Sequence, residues 1–137
     1  MVNVIVNAKG AILGRMGSYV AKELLKGNSV EIINSEETII SGKKEYMVEK
    51  IKQKRRMGQG SSLKGPKYIR KEDMLLKRII RGMLPWDRQK GRDAYKRLRC
   101  YIGNNNLTEE QIKGIKNFEH HLPLNHYKLK DVVRGLI

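Results

Sequence analysis

Apolar residues recur along this chain with two different periods, and the alternation between them outlines its elements. Val2 to Val6 is rich in β-branched residues and is closed by Asn7-Ala8-Lys9-Gly10, which predicts a strand and then a turn. From Ala11 to Lys26 the apolar positions Leu13, Met16, Val20 and Leu24 fall three and four apart, and Gly27-Asn28 supplies a stop. That spacing predicts an amphipathic helix. Val30 to Asn34 and Thr38 to Ser41 are two further short β-branched runs. Strand, helix and strand in quick succession predict a βαβ unit with a right-handed crossover and parallel strands, hence an α/β fold.

Gly42 opens a second helical stretch, Lys43 to about Met57, with a narrow apolar stripe of Met47, Val48 and Ile51 and a C-terminal half crowded with cations. Cations at that end suit the helix dipole. Residues 58 to 70 carry three glycines, a proline and no amphipathic period, which predicts a long basic loop. With so little to bury, that loop is expected to become ordered only against a ligand. Lys71-Glu72-Asp73 then starts a helix whose apolar face is Leu75, Leu76, Ile79, Ile80 and Met83, ended by Pro85. Gly91 to Arg97 predicts a short helix, and Leu98 to Ile102 a fourth strand. Thr108 and Gln111 have capping-box spacing. Leu129, Val132, Val133 and Leu136 predict a closing amphipathic helix.

Charge changes the picture more than composition does. The 137 residues suit a single domain, 1–137, and carry 29 Lys and Arg against 14 Asp and Glu, a net +15. Residues 1–42 hold four bases and four acids, residues 43–99 hold twenty and six, and residues 100–137 hold five and four. The excess therefore lies in a central block between two nearly neutral segments, a scaffold before it and a C-terminal strand and helix extension after it. From Lys50 to Lys71 there are nine bases and no acid, so the self-repulsion calls for an external anion. The candidate contacts with nucleic acid are Arg15, Lys44, Lys50, Lys52, Lys54, Arg55, Arg56, Lys64, Lys67, Arg70, Lys71, Arg78, Arg81, Arg88, Lys90, Arg92 and Lys96. Tyr68 and Trp86 stand among these cations, and each is a candidate either for stacking on a base or for a local packing anchor. No apolar run approaches the roughly 20 residues that span a bilayer. The single cysteine, Cys100, and an N-terminus without a signal pattern suit a reducing, cytoplasmic setting.

Other chemistry is weaker. Gly10 to Gly17 lies where a dinucleotide-binding loop would be, yet Ile12 occupies the position of the second glycine. A nucleotide-dependent enzyme with a degenerate loop is thus disfavoured, and Gly14 and Gly17 read as small residues for close helix packing. Gly14-Arg15-Met16-Gly17, followed by Val30 to Ile33, is similar to the G-x-x-G loop of a KH module, an alternative route to single-stranded RNA. His120, His121 and His126 lack metal-ligand spacing, Cys100 reads as a small buried hydrophobe, and no catalytic signature is present. No cofactor, metal or small-molecule substrate is expected.

The residues Leu13-Gly14-Arg15, Ser18, Val20-Ala21 and Ile40-Ser41-Gly42 carry a resemblance to a known family. So, more specifically, do Gly65-Pro66, Arg78-Ile79-Ile80-Arg81-Gly82-Met83-Leu84-Pro85, and Leu98 to Gly103. The chain resembles the large-subunit ribosomal protein L-thirteen family in its archaeal and eukaryotic branch, over roughly residues 8 to 103. The resemblance implies a three-layer α/β/α fold around a parallel four-stranded sheet. It implies a structural constituent of the large ribosomal subunit, bound to the large rRNA, with neighbouring large-subunit proteins as further partners. The basic candidates would then contact rRNA, with Arg able to grip phosphate bidentately or stack on a base.

Overall fold

A computed structural model describes residues 2–58, 60, 65, 67–113, 115–118 and 121–136. In chain order the elements are β1 (Asn3–Asn7), α1 (Leu13–Leu25), β2 (Ser29–Ile33), β3 (Ile39–Ser41), α2 (Lys44–Arg56), α3 (Glu72–Arg81), α4 (Gln89–Lys96), β4 (Leu98–Cys100), α5 (Glu109–Lys113), β5 (Lys116–Asn117), β6 (His126–Lys128) and α6 (Leu129–Gly135). A four-stranded sheet in the order β4-β2-β1-β5 has every neighbouring pair parallel. From β1 the chain steps outward to β2 and then β4, and returns through α5 to β5 on the far side of β1. Right-handed crossovers place α5 on the opposite face from α1, giving three layers.

The fourth strand of the sheet differs from the one expected. Ile39–Ser41 pairs antiparallel with β6 in a separate two-stranded sheet, and β5 takes the place beside β1. Only Asn34, a tight 3-10 turn, Ser35–Glu37, and Thr38 separate the end of β2 at Ile33 from β3. A parallel return needs a crossover of roughly a dozen residues or more, so β3 cannot rejoin the sheet beside its predecessor.

The helical period of α1 is realised in full: Leu13, Met16, Val20 and Leu24 are all buried. They meet Val6, Val30, Ile32 and Leu98 from the sheet, Leu75, Leu76 and Ile80 from α3, Ile51 from α2, and Leu129, Val132 and Leu136 from the C-terminus in one hydrophobic cluster. Gly10 adopts φ +73, the left-handed turn that brings α1 back over the sheet. Thr108 and Gln111 exchange the expected reciprocal bonds, Thr108 N–H to Oε1 of Gln111 at 3.0 Å and Gln111 N–H to Oγ1 of Thr108 at 3.4 Å. Helix α3 begins with Glu72 and Asp73 and ends with Arg78 and Arg81, both ends matched to the dipole.

The C-terminal segment is tied to the turn after β2. Leu129 N–H donates to the Thr38 carbonyl at 2.9 Å, and Lys128 and Lys130 donate to the two oxygens of Glu37 at 2.6 and 2.7 Å. The hydrogen bond from Lys128, followed by that from Lys130, holds the Glu37 carboxyl at about 2, against an ordinary value of 4.5. A lowered folded-state value means that this contribution is complete above about pH 4.5 and is lost as the pH falls toward 2. Because the Lys128 side chain is 43% exposed, solvent limits the contribution to about 1–2 kcal/mol. Glu37→Gln should therefore lower the melting temperature at pH 7 and flatten its decline between pH 4.5 and 2. An acid limb as steep in the variant as in the parent would contradict this coupling.

Candidate nucleic-acid interface

Helix α2 is the first basic element, and its polarity places Lys54, Arg55 and Arg56 in the last turn, where their charges oppose the carbonyl end of the helix. The Lys54 ammonium lies 5.2 Å from the centre of the Tyr68 ring, which brings the extended segment 67–70 against the end of the helix. Arg55, Lys67, Tyr68 and Arg70 then line a depression of about 380 Å³. Tyr68 is half-buried, whereas Lys67 and Arg70 are exposed. Earlier in the helix, Lys44 and Lys50 are exposed, Lys52 is half-buried, and the Lys50 ammonium stands 6.0 Å from the centre of the Tyr46 ring. Of the expected loop, Lys64, Gln59, Ser61, Ser62, Leu63 and Pro66 lie outside the described residues.

The second basic element follows α3. Arg78 is exposed and Arg81 half-buried on the last turn, and Gly82 to Pro85 turns the chain so that Trp86 comes back over Arg81. The Arg81 guanidinium carbon is 3.9 Å from the Trp86 ring centre, and the Tyr95 ring stands perpendicular to the same indole, with centroids 5.2 Å apart and planes at 89°. The Arg92 Nε–H donates to the Trp86 carbonyl at 3.0 Å. Gly91 is buried against Pro85, where a Cβ would overlap the Pro85 carbonyl, so α4 approaches this turn at backbone contact. Lys71, Arg88, Lys90 and Lys96 are exposed.

Among the described cations of residues 43–99, Arg56 alone forms an ion pair with a described carboxylate: Nη1 is 3.6 Å from Oε1 of Glu49. Both side chains are about two-thirds exposed, and such a pair contributes under about 1 kcal/mol. The cations of this block are thus left largely without internal counter-charge among the described residues.

Several expectations are revised. Gly14-Arg15-Met16-Gly17 is helical, forming the first turns of α1, with Met16 wholly buried and only Gly14 and Arg15 exposed. A KH-type clamp needs that segment as an exposed loop, so the resemblance stops at spacing. Gly17 does serve close packing, since a Cβ there would reach the Met83 side chain, but Gly14 faces open space. Two cations outside the expected set lie near the expected ones. Arg99 shares a depression of about 410 Å³ with Lys96, Arg97 and the acid Glu31, and Lys77 stands 4.8 Å from the Tyr95 ring centre. Alternation along β4 was the available signal for Arg99, as Leu98 is buried and Arg99 exposed. Arg97 is committed elsewhere, its Nη2–H donating to the Leu24 carbonyl at the end of α1 at 2.6 Å.

Burial pushes the Cys100 thiol up to about 12, so it carries no thiolate near neutral pH. Among the described residues no three His, Cys, Asp or Glu side chains gather as a metal site, and no helix is long and apolar enough to cross a membrane. His120 lies outside the described residues.

Fold and surface together define a small α/β protein whose central block, residues 43–99, carries a large positive charge, mostly unpaired among the described residues. Residues 2–107 match the family model described as Ribosomal protein L13, and the chain belongs to that family. Among its relatives, the large ribosomal subunit protein uL13 of Methanopyrus kandleri is 46% identical over 106 residues, which cover 77% of this chain and 65% of the relative. The uL13 of Archaeoglobus fulgidus is 41% identical over 115 residues, 84% of this chain and 69% of the relative. That of Methanocaldococcus jannaschii is 40% identical over 110 residues, 78% and 80% of the two chains. The chain thus spans just under two thirds of the length of the Methanopyrus protein.

Proposed function

We propose that this chain is a structural constituent of the large ribosomal subunit, held on the large rRNA by its central basic block. The observation that carries this reading is the combination of membership in the ribosomal protein L13 family with a block of twenty bases and six acids, largely without internal partners. A neutral α/β scaffold orients two groups of cations, one at the end of α2 with residues 67–70 and one around Arg78, Arg81 and α4. Neutralised phosphates release counterions, and that entropy supplies most of the affinity. Neighbouring large-subunit proteins are its other partners, the ribosome in the cytoplasm is its location, and it turns over no small-molecule substrate.

The test is sedimentation of the full chain with ribosomes from its own source. It should travel with the large subunit and remain there through moderate salt. Recovery of the chain in the free fraction, together with turnover of a small molecule, would overturn the reading.

A further inference from the structure

The only tryptophan of the chain is not available as a platform on both sides: one face of Trp86 is occupied by Arg81, while the Tyr95 ring stands perpendicular to the indole. We propose that Arg81, laid against Trp86, is itself the stacking surface, and that it holds one unstacked nucleobase of a single-stranded or extruded RNA nucleotide. The inference rests on the RNA-binding role proposed above and names the kind of nucleotide this part of the surface takes.

A depression of about 340 Å³ opens beside the pair, lined by Arg78, Arg81, Gly82, Leu84 and Trp86. Its volume lies at the lower end of the roughly 300–1,000 Å³ of sites that enclose small molecules. Gly82 contributes no side chain, and Leu84 contributes an apolar wall, a lining that suits a flat, weakly polar ring better than a phosphate. A guanidinium is planar and weakly hydrated, and with one face on an indole its other face accepts a base in the same sandwich. Arg78, one helical turn before Arg81 and exposed, is placed to meet the phosphate of the same nucleotide.

The backbone of Trp86 is also braced on both sides of its Cα. Trp86 N–H donates to the Leu84 carbonyl at 2.8 Å, and Arg92 holds the Trp86 carbonyl. Gly91 lets α4 close on Pro85 from beneath. A turn braced in this way keeps Trp86 under Arg81, and less order has to be imposed on binding. Trp86 and Tyr95 are positioning residues in this account, and Arg81 touches the base. Because bases in an A-form duplex are already stacked on one another, such a site discriminates in favour of unpaired RNA.

Trp86 reports directly on its own surroundings, since no other tryptophan contributes to the emission. The full chain is titrated with a short single-stranded RNA and with an A-form duplex of the same length and salt. Single-stranded RNA should quench the Trp86 emission, and Arg81→Lys, which keeps the charge and loses the plane, should weaken that binding by roughly tenfold while changing duplex binding by less than about twofold. An unchanged melting temperature for Arg81→Lys keeps the comparison one of binding. Equal weakening toward both RNAs would mean that Arg81 merely holds phosphate and would overturn the proposal. So would single-stranded RNA that binds without altering the emission. A wild-type chain that binds neither RNA would instead bring down the proposed function itself.

Discussion

Met16→Asp should abolish cooperative folding, whereas Arg15→Asp, one residue away, should leave the fold intact. Met16 is wholly buried beneath α3 and the sheet, so the substitution deletes a large core side chain and leaves a carboxylate without a partner. Removal of a buried Met side chain costs about 2–5 kcal/mol, and an unpaired buried charge adds several more. Their sum is comparable with the roughly 5–15 kcal/mol that holds a typical domain together. Arg15, by contrast, is exposed in the first turn of α1. An acid there faces the positive end of the helix dipole and should raise stability by about 0.3–1 kcal/mol. Urea denaturation followed by circular dichroism distinguishes the two. A Met16→Asp chain that folds normally but no longer binds RNA would restore the Gly14–Gly17 segment as a nucleic-acid loop.

The same segment illustrates which parts of this molecule are legible in its sequence. The helical period over Leu13, Met16, Val20 and Leu24 is correct because each of these positions is buried, and burial is what periodicity reports. The spacing of Gly14 and Gly17 carries no such information, since it is identical for an exposed loop, a packing contact and an open helix face. In the structure the two glycines have different environments. Strands β5 and β6 were not legible at all. Lys116–Asn117 and His126–Lys128 are short and polar, and their extended state comes from pairing with Val6–Asn7 and with Ile39–Ser41 respectively. Such strands are created by tertiary partners and leave no local trace.

The basic surface was legible in bulk and illegible in detail, for an equally physical reason. Charge imbalance survives any folding, so twenty bases against six acids over residues 43–99 identifies a polyanion-binding block without coordinates. The pairing of individual cations with aromatic rings depends on chain reversals. Arg81 and Trp86 are five residues apart, a separation with no helical meaning, and they meet because Gly82 to Pro85 folds the chain back. Lys54 and Tyr68 meet across the intervening loop. Composition marks such residues as candidates, and only the fold shows that Tyr68 and Trp86 already have cations on their rings.

Replacing Arg55, Arg56, Lys67 and Arg70 together by Ala should produce the largest loss of RNA affinity available without damage to the fold. None of the four is buried, and their sole ion pair among the described residues, Arg56 with Glu49, is exposed and weak. Surface changes of this kind alter stability by about 0.5 kcal/mol or less each, so the melting temperature should stay within a few degrees. Binding responds differently, because each phosphate contact contributes about 0.9 to the slope of log affinity against log salt on a duplex and about 0.7 on a single strand. Four contacts removed lower that slope by roughly 3 to 4, which near 0.1 M salt corresponds to a loss of about three orders of magnitude. The weakening should be similar for RNAs of unrelated sequence, since phosphate carries no sequence information. The measurement is the affinity of the full chain and the variant for large-subunit rRNA fragments over a series of salt concentrations. A variant with an unchanged slope would show that these cations never meet phosphate, and would move the rRNA contact to the remaining bases of residues 43–99, those around Arg78 and Arg81 first.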